Sequence, residues 1–178
     1  MKQKSIEDNI VLIGFMGTGK TTVAQRLSEL YGFEVLEMDQ VIEEGEHLSI
    51  PEIFATYGEE YFRDLETNLL VGLQRRNHMV ISCGGGAALR EKNVAEMKRN
   101  GKIILLTASP RTVWERLKDR EDRPLLNGYK TIKDIESLME ARRSKYEAAA
   151  DMTISTDEKT VLAVCEELME KLKGLEEK

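Results

Sequence analysis

The segment Gly14-Phe15-Met16-Gly17-Thr18-Gly19-Lys20-Thr21 constrains this chain more than any other. It fits the pattern G-x-x-x-x-G-K-[ST] and follows the apolar run Ile10–Phe15. It opens a stretch, Lys20–Tyr31, that places Val23, Leu27 and Leu30 on one helical face. A strand, a glycine-rich turn and a helix in that order curl successive backbone N–H groups toward the positive end of the helix. That is a seat for phosphate oxygens. Lys20 reaches the β- and γ-phosphates of a nucleotide, and the Thr21 hydroxyl faces Mg²⁺. Gly17, Thr18, Gly19, Lys20, Thr21 and Thr22 are therefore expected to bind ATP, with Thr21 as the metal-side residue.

The remaining pattern alternates short apolar runs with longer amphipathic ones. Val35–Met38, Met79–Cys83, Ile103–Thr107 and Met152–Ser155 join Ile10–Phe15 as strands. Most show little polar alternation, as strands covered on both faces of a parallel sheet do. Ser109-Pro110 marks a helix start with Val113, Trp114 and Leu117 inward; Ile132–Ala149 and Thr160–Leu172 are further helices. Ile50–Gln74 reads as two helices broken near Gly58. The expectation is a three-layer α/β/α fold around a five-stranded parallel sheet, with ligands outside the carboxyl ends of the strands. A length of 178 residues fits a single domain, 1–178.

Absent features narrow the class. Neither Met79–Cys83 nor Ile103–Thr107 ends in the carboxylate a motor ATPase uses for Mg²⁺, and no Asn-Lys-x-Asp sequence reads guanine. The acids follow the second strand instead, as Glu37 and Asp39, where a carboxylate suits a base for an acceptor hydroxyl. A balance of 26 basic against 32 acidic residues disfavours a nucleic-acid partner. No apolar run reaches the length of a membrane span, and Met1–Asn9 lacks the apolar core of a signal peptide. Cys83 and Cys165 are too few for a disulfide framework and suit a cytoplasmic protein. His47 and His78 are too isolated for a metal site, and Cys83 reads as a small buried residue with no base nearby.

Several further residues have a plain reading beside a chemical one. Asp39 suits a helix N-cap. Arg63 and Glu66 suit a surface ion pair of little worth. Gly84-Gly85-Gly86 suits a flexible turn or a close approach of backbone to a small ligand. Arg142, four residues before Tyr146, would ordinarily be solvated.

Taken in order, Asp39-x-x-x-Glu43, Phe62-Arg63-x-x-Glu66, Gly84-Gly85-Gly86, Arg123-Pro124-Leu125-Leu126 and Arg142-x-x-x-Tyr146 after the phosphate loop resemble the shikimate kinase family, from Ile10 to about Leu172. The resemblance implies a P-loop fold of the nucleoside-monophosphate-kinase type and transfer of phosphate from ATP to the 3-hydroxyl of shikimate. It implies that Asp39 bonds the acceptor hydroxyl and takes its proton. Arg63 and Arg142 then clamp the acceptor carboxylate, and Gly84, Gly85 and Gly86 meet the acceptor. Glu66 orients the substrate arginine. Arg123 joins Lys20 as a catalytic cation reaching over the phosphates, and Arg116 or Arg120 stacks on adenine, with Arg116 favoured. The acceptor-binding segment is placed at about 40–75 and a lid at about 119–128.

The chain also departs from the family. Glu37-Met38-Asp39 stands where the family has Asp-x-Asp, and Glu reaches about 1.5 Å farther. Arg142-Arg143-Ser144-Lys145-Tyr146 lacks the proline of the family's Arg-x-Pro-x-Tyr, which makes Arg143 a rival to Arg142. The expected partners are ATP, Mg²⁺ and shikimate, with no membrane or nucleic acid, acting on a monomer. A gluconate kinase and a nucleotide-binding regulatory protein without turnover are the competing readings.

Overall fold

The apolar run after Asp8 forms the central strand β1 (Asn9–Ile13), and everything else is arranged by its two faces. The computed structural model describes residues 8–120, 128 and 131–176. Side chains alternate across a strand. Ile10 and Leu12 point to a layer formed by α1 (Lys20–Tyr31) and α8 (Val161–Glu176), where they meet Val23, Leu27, Val164 and Leu168. Val11 and Ile13 point the other way, to Leu70, Met97, Val113 and Ile135.

Those four residues belong to α4 (Glu59–Gly72), α5 (Glu91–Asn100), α6 (Pro110–Leu117) and α7 (Ile132–Ala149). Between the helical layers lies a five-stranded sheet in the order β2-β3-β1-β4-β5, with every pairing parallel. The strands beside β1 are β3 (Met79–Ser82) and β4 (Gly101–Thr107). At the edges lie β2 (Glu34–Glu37) and β5 (Met152–Ser155). This is the expected α/β/α fold.

Because β3 and β4 flank β1, the loops leaving these strands diverge and open a crevice at their carboxyl ends. Local sequence sets the helix entries. Ser109 caps α6 by accepting from the Thr112 N–H, with Pro110 at the first helical position. Thr131 and Asp134 form a reciprocal capping box at the start of α7.

Two elements differ from the pattern. Met38 is fully buried but begins α2 (Met38–Glu46) and does not end β2. Asp39 accordingly sits in the first turn of α2 and is not its N-cap, a position held by Glu37. The polar segment Glu91–Asn100 forms α5, although Val94 and Met97 are its only apolar residues besides Ala95. The helices α2, α3 (Ile50–Tyr57) and α4 enclose a separate small core of Ile42, Ile53 and Phe62.

Candidate active site

The phosphate loop closes tightly over the end of β1. Gly14 has φ 142°, and a Cβ on it would strike the Leu106 carbonyl oxygen of the neighbouring strand. Gly19 caps α1 with φ 98° and no side-chain hydrogen bond, which leaves the N–H groups of the first turn open to an anion. Lys20 folds back along the loop, its Nζ donating to the carbonyls of Gly14 and Phe15 at 2.9 Å each. Thr18 is buried and donates both its hydroxyl, at 2.9 Å, and its backbone N–H, at 3.4 Å, to the Phe15 carbonyl, which fixes the curl of the loop.

A cavity of about 330 Å³ opens above this loop. It gathers Gly17, Thr18, Gly19, Lys20, Thr21, Thr22, Asp39, Gly84, Gly85 and Arg116 on one wall or another. Arg116 donates from Nη1 to the Gly17 carbonyl at 2.8 Å, and Arg120 also lines the cavity, so both adenine candidates stand beside it. Arg123 and Pro124-Leu125-Leu126 lie outside the described residues.

The far wall comes from the loop after β5. Thr156 donates its hydroxyl to the Thr18 carbonyl at 3.0 Å, and Lys159 and Val161 reach the same space. Sequence reasoning placed nothing there. The position just past a strand's carboxyl end was the available signal.

Glu37 lies beneath the metal side of the loop. Its carboxylate is hydrogen-bonded to the hydroxyls of Ser82 and Thr21. Burial pushes its pKa up, while those two hydrogen bonds pull the other way. Glu37 Oε1 is buried with no hydrogen-bond partner among the described residues. A hard oxygen set of one carboxylate and one hydroxyl beside a phosphate seat fits Mg²⁺, which takes few protein ligands and fills the rest with water and phosphate.

The acceptor side is built around the glycine turn after β3. Gly84 faces two carboxylates: a Cβ there would lie 2.9 Å from Asp39 Oδ1 and 3.0 Å from Glu66 Oε1. Arg63 packs over Gly86, its Cζ 2.5 Å from where a Cβ would be, and over the Phe62 ring at 5.2 Å. Arg142 approaches Gly85, with Nη1 3.8 Å from the corresponding point, and its guanidinium sits 5.6 Å from the Phe15 ring centroid. The two cations therefore converge on adjacent glycines. Arg143 points away, paired with Glu140 at 2.9 Å on the surface. The rivalry between Arg142 and Arg143 as the inward residue is decided by that geometry.

Glu66 corrects the surface-pair reading. It is fully buried, and its Oε2 receives Arg63 Nη1 at 2.8 Å. Burial raises its pKa to about 7 against the pull of Arg63, and the negative charge of Asp39 adds to the rise. Around the turn, buried Asn93 donates to the Ala87 carbonyl at 3.0 Å and receives the Thr67 hydroxyl at 2.6 Å, tying the turn to α4. Cys83 is buried beside it, with its thiol pushed far up by burial and so inert.

Known proteins resemble this chain in sequence and fold. The family model described as shikimate kinase matches residues 16–173. A shikimate kinase of Dehalococcoides mccartyi is 43% identical over 171 residues, covering 96% of this chain and 97% of the relative. One from Caldanaerobacter subterraneus is 41% identical, covering 93% and 98%. The structure of shikimate kinase from Acinetobacter baumannii in complex with shikimate superposes with a TM-score of 0.91 at 32% identity, over 98% of this chain and 97% of that one. A gluconokinase from Sinorhizobium meliloti shares the fold, with a TM-score of 0.61 at 17% identity over 97% of this chain and 95% of that one.

Proposed function

The chain belongs to the shikimate kinase family, and from that membership we propose how its own residues carry out the family reaction. The protein is an ATP-dependent kinase that phosphorylates the 3-hydroxyl of shikimate in aromatic biosynthesis, giving shikimate 3-phosphate and ADP. The observation that carries the residue assignments is the meeting of three groups at one glycine turn. Asp39 lies at Gly84 within the nucleotide cavity, while Arg142 and Arg63 flank Gly85 and Gly86.

The open N–H groups of α1 and Lys20 hold the β- and γ-phosphates. Thr21 and Glu37 would hold Mg²⁺, which when bound offsets negative charge on the phosphate oxygens. Arg63 and Arg142 grip the acceptor carboxylate by charge-assisted hydrogen bonds, and Glu66 keeps Arg63 aimed. The hydroxyl so placed faces Asp39. As its oxygen bonds to the γ-phosphorus and the bond to the β-phosphate oxygen breaks, Asp39 takes the hydroxyl proton. Holding donor and acceptor in line supplies most of the acceleration. Arg123 is assigned to the phosphates on its match to the family's Arg-Pro-Leu-Leu sequence. Two convergent guanidinium groups favour an acceptor that carries a carboxylate over a neutral polyol, which offers neither of them a counter-charge. Shikimate and gluconate both carry one, so the choice between them rests on family membership.

The proposal extends to a single domain over 1–178 that works as a cytoplasmic monomer on small molecules, with no membrane or nucleic-acid partner. A net charge of −6 and the two buried free cysteines support it. Among the described residues no helix is long and apolar enough to cross a membrane. The test is ADP release from Mg-ATP with shikimate, gluconate or no acceptor, and the product identified by mass. Shikimate-dependent release with a phosphorylated product is expected. Release with gluconate alone discards shikimate as the acceptor, and ATP binding without turnover favours a regulatory protein.

A further inference from the structure

The Gly85 carbonyl accepts the hydroxyl proton of Tyr146, a residue of α7 that is only 5% exposed. The Arg142 guanidinium, one helical turn earlier, lies against the same phenol oxygen and interacts with it electrostatically. Arg142 Nη1 is itself buried and has no hydrogen-bond partner among the described residues, although it lies beside Gly85. A buried guanidinium N–H left without an acceptor is costly, and such groups in native proteins call for an explanation. Here the explanation is a ligand oxygen at Gly85.

An arginine on four flexible torsions does not hold such a donor in place unaided. The Tyr146 ring can hold it. It has two torsions, and it packs in the main core with Phe15, Ile135 and Ala149. Its hydroxyl is thus a fixed point from which two mobile groups are hung, one a backbone peptide and the other a cation.

We propose that Tyr146 is a positioning residue for the acceptor: its hydroxyl locks the Gly85 peptide and the Arg142 guanidinium into one preformed seat for the shikimate carboxylate side. The inference rests on the shikimate-kinase reading. A purely structural tyrosine would fill the core and leave acceptor binding alone. A positioning tyrosine changes acceptor recognition more than it changes nucleotide binding.

The test compares the wild-type enzyme with Tyr146→Phe, which keeps the ring and removes the hydroxyl. The KM for shikimate is expected to rise about tenfold, the worth of one hydrogen bond to a charged group. The KM for ATP should stay within about twofold, with kcat at saturating shikimate falling far less than the acceptor KM rises. In an Arg142→Ala background, Tyr146→Phe should add less than about twofold, because its partner is already gone. An unchanged shikimate KM, an equal rise in both KM values, or full additivity with Arg142→Ala overturns the proposal.

If Tyr146→Phe does not fold, fluorotyrosine in the otherwise native sequence provides the readout. The Tyr146 resonance, identified with the other tyrosines replaced by Phe, should move on adding shikimate alone and stay in place on adding ATP alone. Movement with ATP alone, or no movement with shikimate, overturns the proposal equally. Wild-type enzyme that does not turn over shikimate sinks the functional reading itself. Wild-type turnover with an indifferent Tyr146 sinks only this inference.

Discussion

Asp39 and Glu66, from different helices, turn their carboxylates onto the same glycine: a methyl group on Gly84 would touch Asp39 Oδ1 at 2.9 Å and Glu66 Oε1 at 3.0 Å. Asp39 lines the nucleotide cavity, whereas Glu66 is fully buried against Arg63. Two acids thus share one turn with separate tasks, one toward the reacting hydroxyl and the other toward the clamp.

Asp39→Asn keeps the shape and removes the proton acceptor. It is expected to lower kcat by about 10²–10⁴-fold, the usual worth of a positioned acid or base, with ATP affinity little changed. Steady-state rates with an ATP titration check it. Near wild-type turnover would take Asp39 out of the base role.

Glu66 ties stability to pH with an unusual sign. Its folded-state pKa of about 7 exceeds the unfolded value of 4.5, so the folded chain binds the extra proton between those values. Its contribution is therefore most favourable below about pH 4.5 and is lost as pH rises through 7, by roughly 3 kcal/mol. Glu66→Gln should remove that slope. Melting temperatures of both proteins from pH 5 to 8 would show the wild type losing ground relative to the variant; parallel curves would contradict it.

Gly86→Ala should act on Arg63. The added Cβ would sit 2.5 Å from the guanidinium carbon, and φ at Gly86 is −97°, so the backbone accepts alanine while the side chain must shift. The expected result is a rise in shikimate KM of about tenfold or more, with ATP KM unchanged. A variant that weakens ATP binding alone would show that Arg63 serves the nucleotide.

Glu37→Gln bears on the metal. It keeps a hydrogen-bonding group near Ser82 and Thr21 but removes the carboxylate charge. The Mg²⁺ concentration for half-maximal activity should rise several-fold, on the order of the 10-fold lower limit for weakened metal sites. A magnesium titration at fixed ATP measures it, and an unchanged midpoint would leave Thr21 as the metal-side residue without Glu37.

Much of this molecule is legible in its residue pattern, and the exceptions have physical causes. Lys20–Tyr31 and Ile132–Ala149 coincide with α1 and α7 because periodicity, phosphate loop and cap agree there. Met38 misleads because a buried apolar residue at the end of β2 looks like more strand, although it is the first residue of α2. α5 escapes notice because its few apolar residues make a narrow stripe. Glu66 is harder still. An i,i+3 Arg–Glu pair reads as surface on any helix, and only the packing of Gly84 and Arg63 above it shows that it is buried. The inward turn of Arg142 over Arg143 likewise depends on where α7 meets Phe15 and Gly85, contacts far apart in the chain.

Among the described residues, Leu69 borders both the small cluster of Ile42, Ile53 and Phe62 and the central core. The segment α2–α4, which carries Asp39 and Arg63, therefore has an interior of its own, while Arg142 and Tyr146 stand on the central core. Substitutions that reshape it can accumulate there while the nucleotide half keeps its packing, so a lineage can exchange one acceptor for another on a shared engine.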